Sequence, residues 1–165
     1  MRIVQMLREW RNRKIWGKYL SPEIIKLISE KRSAEIGPAE VKHFQFVVAI
    51  ADDTNPEGVP EMIAKIVRTF VQHHATVLDI TSSLVVALFG VPYPEDSSAE
   101  ARRLLVEALL RENNKRIRIV HGECDGAVGM LGGDGRWTYG AAIPGFSGIL
   151  KKLVEAEFGT AVESS

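Results

Sequence analysis

From residue 44 onward, short apolar runs alternate with segments whose apolar residues recur at helical spacing. Residues 44–51 (FQFVVAIA) are rich in β-branched and aromatic side chains, which is typical of a buried strand. In the next segment, Ile63, Ile66, Val67 and Phe70 fall on one helical face. Helices interleaved with strand pairs in this way predict an α+β fold, a ferredoxin-like antiparallel sheet covered by helices.

The remaining predicted elements follow in the same alternating order. They are strands at about 76–80 and 84–89, a helix after the capping-box pair Ser97 and Glu100, a strand at 116–121, a hairpin of 126–130 and 136–139 around a glycine-rich turn, and a last helix at about 144–158 that Gly159 ends. No closing strand is evident after the last helix, and whether another chain supplies one stays open.

The first 40 residues differ in character from the rest. Residues 1–20 carry six basic side chains and one acidic one, and Ile3, Leu7 and Trp10 follow helical spacing. A second helix begins at Ser21 and Pro22, and residues 33–40 form a linker. We therefore predict an N-terminal region of two helices and a linker over 1–40, and a main domain over 41–165. The basic helix packs on its own domain or on a partner, and contact with a membrane surface is the less favoured alternative.

Composition limits the classes of function. A chain of 165 residues with 21 basic and 21 acidic side chains lacks the basic excess of nucleic-acid-binding proteins. Its single cysteine, Cys124, cannot form an internal disulfide, and no apolar run is long enough to cross a bilayer. These features predict a cytoplasmic protein that does not bind nucleic acid.

Three segments of the chain carry recognisable motifs. Residues 19–24 (YLSPEI) resemble a "yvSPEv" motif, and residues 77–90 (VLDITSSLVVALFG) resemble a hairpin that ends in "GD..mavFG". His121-Gly122-Glu123 with Gly126 and Gly129 resembles an "hxGxxxxGxxG" segment, and WTYG at 137–140 resembles the "yTviG" strand that follows it. In this order, the motifs resemble those of the class III adenylate and guanylate cyclase catalytic domains, where "yvSPEv" is the lead-in to the domain.

The resemblance implies a two-metal phosphoryl-transfer chemistry. In that family, an aspartate after the first strand and another in the hairpin hold two divalent metals, while a hairpin lysine helps to select adenine. An asparagine and an arginine on the last helix of the partner subunit orient the ribose and stabilise the transition state.

Most of the positions that would carry this chemistry hold other residues. Asp52 matches the first metal aspartate, Asp53 is an additional acid beside it, and Thr138 matches a threonine that some bacterial members use against the base. The degenerate positions are Ser82 and Ser83 for the Gly-Asp pair, Asp79 for the lysine, Pro144 for the asparagine and Gly148 for the arginine.

The preferred hypothesis is therefore a pseudoenzyme: an inactive cyclase-homology domain that acts by dimerisation, protein interaction or regulation in signal transduction. It needs no cofactor and pairs with a second copy or with another protein. One alternative is a divergent cyclase that makes cAMP or cGMP with Mg²⁺ or Mn²⁺, using Asp52, Asp53, Asp79 and Lys151 or Lys152. Another is a nucleotide sensor without turnover.

Cys124 and His121 suggest a thiol–imidazole pair, but this pair is not expected to be catalytic. A continued strand places residues 121 and 124 on opposite faces, and no third group is present to orient the imidazole.

Overall fold

The computed structural model describes residues 38–92, 98–113, 115–134 and 136–164. The elements are β1 (Glu40–Ala51), a short 3-10 helix (Pro56–Gly58), α1 (Val59–Gln72), β2 (Thr76–Thr81), β3 (Leu84–Phe89), α2 (Ser98–Glu112), β4 (Ile117–Gly133), β5 (Arg136–Ala142), α3 (Phe146–Glu155) and β6 (Thr160–Ser164). The predicted helices before residue 38 lie outside the described residues, so the division at residues 40 and 41 stays a prediction.

The strands form one sheet in the order β2-β3-β1-β4-β5. All neighbours on this path are antiparallel, and β6 pairs in parallel with the first part of β4. The predicted α+β fold with an antiparallel, helix-covered sheet is confirmed.

The longest pairing in the sheet joins β1 to β4. All twelve residues of β1 pair with β4, from Glu40 opposite Val128 to Ala51 opposite Ile117. The prediction of two separate strands at 116–121 and 126–130 was therefore wrong. Gly122, between the two predicted strands, and Gly126, at the start of the second, lie inside β4, where neighbouring segments approach closely. A Cβ at Gly122 would lie 2.3 Å from the Ser164 carbonyl oxygen, and one at Gly126 would lie 2.4 Å from that of Ala142.

The side chains of the strands alternate between two apolar clusters. On the first face, Val47 and Ala49 of β1 and Ile119 of β4 pack with residues of α1 and α2. On the second face, Phe46 and Val48 pack in the cluster that includes Ile149 and Leu153 of α3. Because both faces of the central strands are buried, β1 reads as a continuous apolar run.

The last part of the chain differs from expectation. The final helix covers Phe146–Glu155 rather than 144–158, and residues 160–164 form β6, which the sequence analysis did not predict. Gly159, at φ 82°, donates its N–H to the Ile117 carbonyl oxygen at 2.7 Å and leads the chain into β6. Among the described residues, no helix is long and apolar enough to span a membrane.

Candidate functional site

Three segments converge where β1 ends. The Ala51 N–H donates to the Ser83 carbonyl oxygen at 2.8 Å, and the Asp52 N–H donates to that of Arg116 at 2.8 Å. These bonds bring the end of β1, the β2–β3 turn and the start of β4 to one edge of the sheet. This edge contains the predicted metal positions Asp52, Asp53, Ser82 and Ser83, and we call it the hairpin edge.

Asp52 is held in an Asx turn at the hairpin edge. Its Oδ1 accepts hydrogen bonds from the Thr54 hydroxyl at 2.7 Å and the Thr54 N–H at 3.0 Å. These two bonds lower the pKa of Asp52, burial opposes them to a smaller extent, and the positive charges of Arg116 and Arg118 add the smallest lowering effects. Asp52 is therefore ionised at neutral pH, with hydrogen bonds and cationic side chains already around it.

Ser83 is one of the two residues that the sequence resemblance aligns with the Gly-Asp pair of the cyclases. It is 4% exposed, and its hydroxyl lies 3.5 Å from Asp53 Oδ2. Ser82 beside it has a left-handed backbone, with φ 57°, in the tight turn between β2 and β3. The structure thus brings Asp53 to Ser83 and leaves Asp52 engaged by Thr54.

The donor set at the hairpin edge does not fit two divalent metals. Mg²⁺ and Mn²⁺ prefer carboxylate oxygens, and a neutral hydroxyl is a poor substitute for one of them. Within the described part of the chain, no three His, Cys, Asp or Glu side chains are grouped so that they could hold a metal ion.

The two predicted base-contacting positions lie on β2 and β5. Asp79 is exposed on β2 opposite Val86, and its Oδ2 accepts a hydrogen bond from the Thr81 hydroxyl at 2.8 Å. In β5 the backbone of Thr138 pairs with Leu131, while Tyr139 pairs with Met130 and is buried in the second-face cluster.

The two positions predicted on the last helix line a cavity, although Pro144 precedes α3 and only Gly148 lies in it. Pro144 and Gly148, with Phe46, Cys124 and Ile149, form part of the wall of a cavity of about 240 Å³. An added Cβ at Gly148 would meet nothing within 4 Å, and neither proline nor glycine has a side-chain donor. The charged side chains on this wall are Glu123 and Lys152, and the Lys152 ammonium donates to the Ser164 hydroxyl at 3.1 Å.

Cys124 and His121 do not form a pair. Cys124 packs against the second-face cluster, whereas the side chains of Ile119 and His121 alternate to the first face. Burial, aided by the charge of Asp125, raises the pKa of the Cys124 thiol to about 11. The thiol is therefore protonated at neutral pH and is a weak nucleophile.

Two groups of charged residues near the candidate site and β6 were not predicted from the sequence. Arg116 and Arg118 act electrostatically on Asp52, and the only available signal was two basic residues at the start of a predicted strand. Arg102, His121 and Glu163 meet at the junction of α2, β4 and β6. No local pattern could have found this second group, because it depends on β6.

Comparison with known proteins gives matches at the level of structure alone. No family model matches the sequence, and a search of curated proteins finds no match. Among solved structures, the guanylyl cyclase Cya2 superposes with a TM-score of 0.64 at 18% identity, covering 78% of this chain and 77% of that one. The adenylyl cyclase CyaB from P. aeruginosa gives 0.63 at 14% identity, covering 76% and 79%.

A bacterial light-regulated adenylyl cyclase matches 92% of this chain and 50% of its own, with a TM-score of 0.65 at 11% identity. These matches agree with the sheet order and the helix placement described above. The chain therefore has the fold of the class III adenylyl and guanylyl cyclase catalytic domains.

Proposed function

We propose that this chain is a cyclase-fold domain without cyclase activity, which acts by binding a second copy of itself or another protein. The observation that carries the proposal is the buried hydroxyl of Ser83, 4% exposed and 3.5 Å from Asp53, at the position where the resembled family holds its second metal carboxylate. The proposed domain requires no metal or other cofactor.

The electrostatics of the hairpin edge support the proposal. A pair of divalent cations brings four positive charges, which need several carboxylates close by. Here Asp52 is already hydrogen-bonded to Thr54 and lies in the field of Arg116 and Arg118. Those guanidinium groups repel an incoming cation, and Ser83 offers no charge to offset the repulsion.

The α3 side supports the same conclusion. A missing transition-state arginine costs on the order of 10³–10⁵ in rate in related phosphoryl transfers. Position 148 is glycine, and its surroundings are open rather than filled by another cation. Lys152, the cation on the cavity wall, is bonded to Ser164.

A binding role requires only the cyclase-like fold and its surface, which this chain keeps. The fold can pair with a second domain, since a fungal guanylyl cyclase domain with this fold from Blastocladiella emersonii is described as monomeric in one crystal structure and as a non-canonical dimer in another. The basic amphipathic helix predicted for residues 1–20 would add a coupling element.

Cyclase turnover with ATP and GTP in the presence of Mn²⁺ tests the catalytic part of the proposal. We expect no cyclic nucleotide from the wild-type chain. Robust product that disappears in Asp52→Asn would instead establish the divergent-cyclase alternative. If product is absent but ATP or GTP raises the melting temperature, the chain is a nucleotide sensor; a ligand at 100 times its Kd adds about 2.7 kcal/mol of stability.

Association of the full chain tests the binding part. Sedimentation over a range of concentrations should show a dimer, and Leu7→Glu, on the apolar face predicted for the first helix, should weaken it. Gln5→Glu adds the same charge off that face and should leave association unchanged. A monomer at every concentration, with no protein partner, contradicts the proposed role.

A further inference from the structure

A polar cluster lies where α2 crosses the sheet beside β6, and the proposed function assigns it no role. Arg102 of α2 donates from its guanidinium to Glu163 Oε1 of β6 at 2.7 Å. Glu163 is the pairing partner of His121 of β4. Three elements of the fold, α2, β4 and β6, therefore meet at one ion pair and one imidazole, which we call the β6 clasp.

The β6 clasp is buried on one side and incompletely hydrogen-bonded. The Arg102 side chain is 11% exposed, whereas that of Glu163 is 66% exposed. Within the described residues, Arg102 Nε and Nη1 and His121 Nδ1 are buried and have no hydrogen-bond partner. A buried polar group without a partner is costly, so the clasp has little capacity to accept a further charge.

A proton on His121 adds such a charge. Burial lowers the pKa of His121, the charge of Arg102 lowers it further, and Glu163 opposes both to a smaller extent. Protonation of His121 places a second positive charge beside the Arg102 guanidinium, which is already paired with the carboxylate of Glu163 on β6.

Several other charged groups of the surrounding elements are engaged elsewhere, including Arg118 of β4, which donates to the Val154 carbonyl oxygen at 3.0 Å. On α2, Arg103 pairs with Glu100 and Glu107.

On β4, Glu123 accepts a hydrogen bond from Gln45 of β1 at 2.7 Å and lies 3.7 Å from the His43 imidazole. The charge of Arg102 also lowers the pKa of Glu123, to a smaller extent than the hydrogen bond from Gln45. Asp125 pairs with His43. The charges that act directly on the His121 pKa are therefore those of Arg102 and Glu163.

We propose that Arg102, His121 and Glu163 form an acid-sensitive device that holds β6 on the sheet at neutral pH and releases it when His121 is protonated. The strand is suited to release because it is a five-residue edge strand. β6 is also held by the Lys152–Ser164 hydrogen bond and by its partly buried residues Ala161 and Val162, which pack against the first-face and second-face clusters. Release exposes the unpaired backbone of β4 from Arg118 to Gly122, which is an edge able to pair with another strand.

The direction of the pH dependence follows from linkage. The pKa of His121 with β6 in place is below its ordinary value of 6.5, so the open state binds the proton more tightly. Above about pH 6.5 the contribution of His121 to closure is fully present. It is lost as the pH falls from 6.5 towards the lowered pKa, and one proton changes the opening equilibrium by at most about tenfold per pH unit.

Hydrogen exchange of the full chain measures this equilibrium. After correction for the intrinsic pH dependence of exchange, the β6 amides should exchange several-fold faster at pH 5.5 than at pH 7.5, while the central β1 amides stay protected. His121→Gln should remove the difference between the two pH values. His43→Gln, an exposed histidine on the same face, is the matched control and should keep it. Glu163→Gln should speed β6 exchange at pH 7.5.

Equal corrected protection of β6 at the two pH values would overturn the proposal, as would a pH dependence that survives in His121→Gln. If His121→Gln does not fold, titration of the wild-type imidazoles by NMR replaces it. His121 should then titrate below 6.5 together with chemical-shift changes in β6, and titration at or above 6.5 would equally refute the device. These readouts do not depend on cyclase activity, so the device can fail while the proposed function stands.

Discussion

Replacing Ser83 by aspartate restores the missing carboxylate at the hairpin edge, and the structure sets the size of the effect. The Ser83 hydroxyl lies 3.5 Å from Asp53 Oδ2, so the new carboxylate lies at a similar distance from that of Asp53. Two unit charges 4 Å apart repel by about 1 kcal/mol in bulk water and about 4 kcal/mol at the effective dielectric near a protein surface. Ser83→Asp should lower the free energy of unfolding by an amount between these bounds at neutral pH.

A divalent cation should reverse that loss, because two facing carboxylates attract the charge that a hydroxyl does not. Mn²⁺ at 100 times its Kd should raise the free energy of unfolding of Ser83→Asp by about 2.7 kcal/mol. The wild-type chain should show no Mn²⁺-dependent change. Urea unfolding with and without Mn²⁺ measures both quantities.

Ser83→Asn is the matched control, since asparagine has the size of aspartate without its charge. Ser83→Asn should share any steric cost of the larger side chain and should not respond to Mn²⁺. The reasoning is refuted if wild-type protein and Ser83→Asp gain equal stability from Mn²⁺, because the hairpin edge would then bind the cation without a second carboxylate.

Three further predictions follow from single residues. Gly122→Ala should lower the free energy of unfolding by about 1–3 kcal/mol in urea unfolding, because the alanine Cβ would lie 2.3 Å from the Ser164 carbonyl oxygen of β6. Gly133→Ala is the control, since a Cβ there would meet nothing within 4 Å and should cause no such clash. The pKa of the Cys124 thiol is raised from 9.0 to about 11 in the folded protein, so its thiolate fraction at pH 8 is about a hundredfold lower than in the unfolded chain. Cys124 should therefore react with iodoacetamide about a hundredfold more slowly in the folded protein than in urea-unfolded protein, and equal rates would contradict this. Thr54→Val should raise the pKa of Asp52 towards 3.8 in an NMR titration, because it removes the hydroxyl donor. Since the pKa of Asp52 is lowered in the folded state, this bond stabilises the fold above about pH 3.8, and the stabilisation is lost as the pH falls through the lowered pKa. An unchanged Asp52 pKa in Thr54→Val would contradict the assignment.

The sequence predicted the parts of the fold that depend on local pattern. The strands at 44–51, 76–80 and 84–89 and the helix containing Ile66 and Phe70 are present, because their apolar spacing matches the face that each element buries. The continuity of β4 could not be predicted, since Gly122 and Gly126 are typical of breaks unless the close approach of β5 and β6 is known. The five residues TAVES carry too little apolar pattern to indicate a strand, and β6 exists because β4 offers an unpaired edge.

The candidate site was predictable in position and only partly in environment. The convergence of Asp52 and Asp53 with Ser83 was an implication of the resemblance, and the antiparallel pairing of β1 and β3 produces it. The effect of the Arg116 and Arg118 charges on the pKa of Asp52 was not predictable, because these residues belong to a segment more than sixty positions away in the chain. The β6 clasp likewise joins residues that are 61 positions apart in the chain.

The two halves of the resembled active site are altered together, and this bears on what a partner could supply. In the resembled family one subunit gives the metal carboxylates and the other gives the asparagine and arginine, so a chain that keeps one half can complete a site with a suitable partner. Here the hairpin edge has Ser83 in place of a carboxylate, and the cavity beside α3 has Pro144 and Gly148 without donors. In a heterodimer with an active subunit, each of the two shared sites would combine one complete half from the active subunit with one incomplete half from this chain. This asymmetry agrees with the proposed role in association, and a heterodimer with an active cyclase domain should lower that domain's activity.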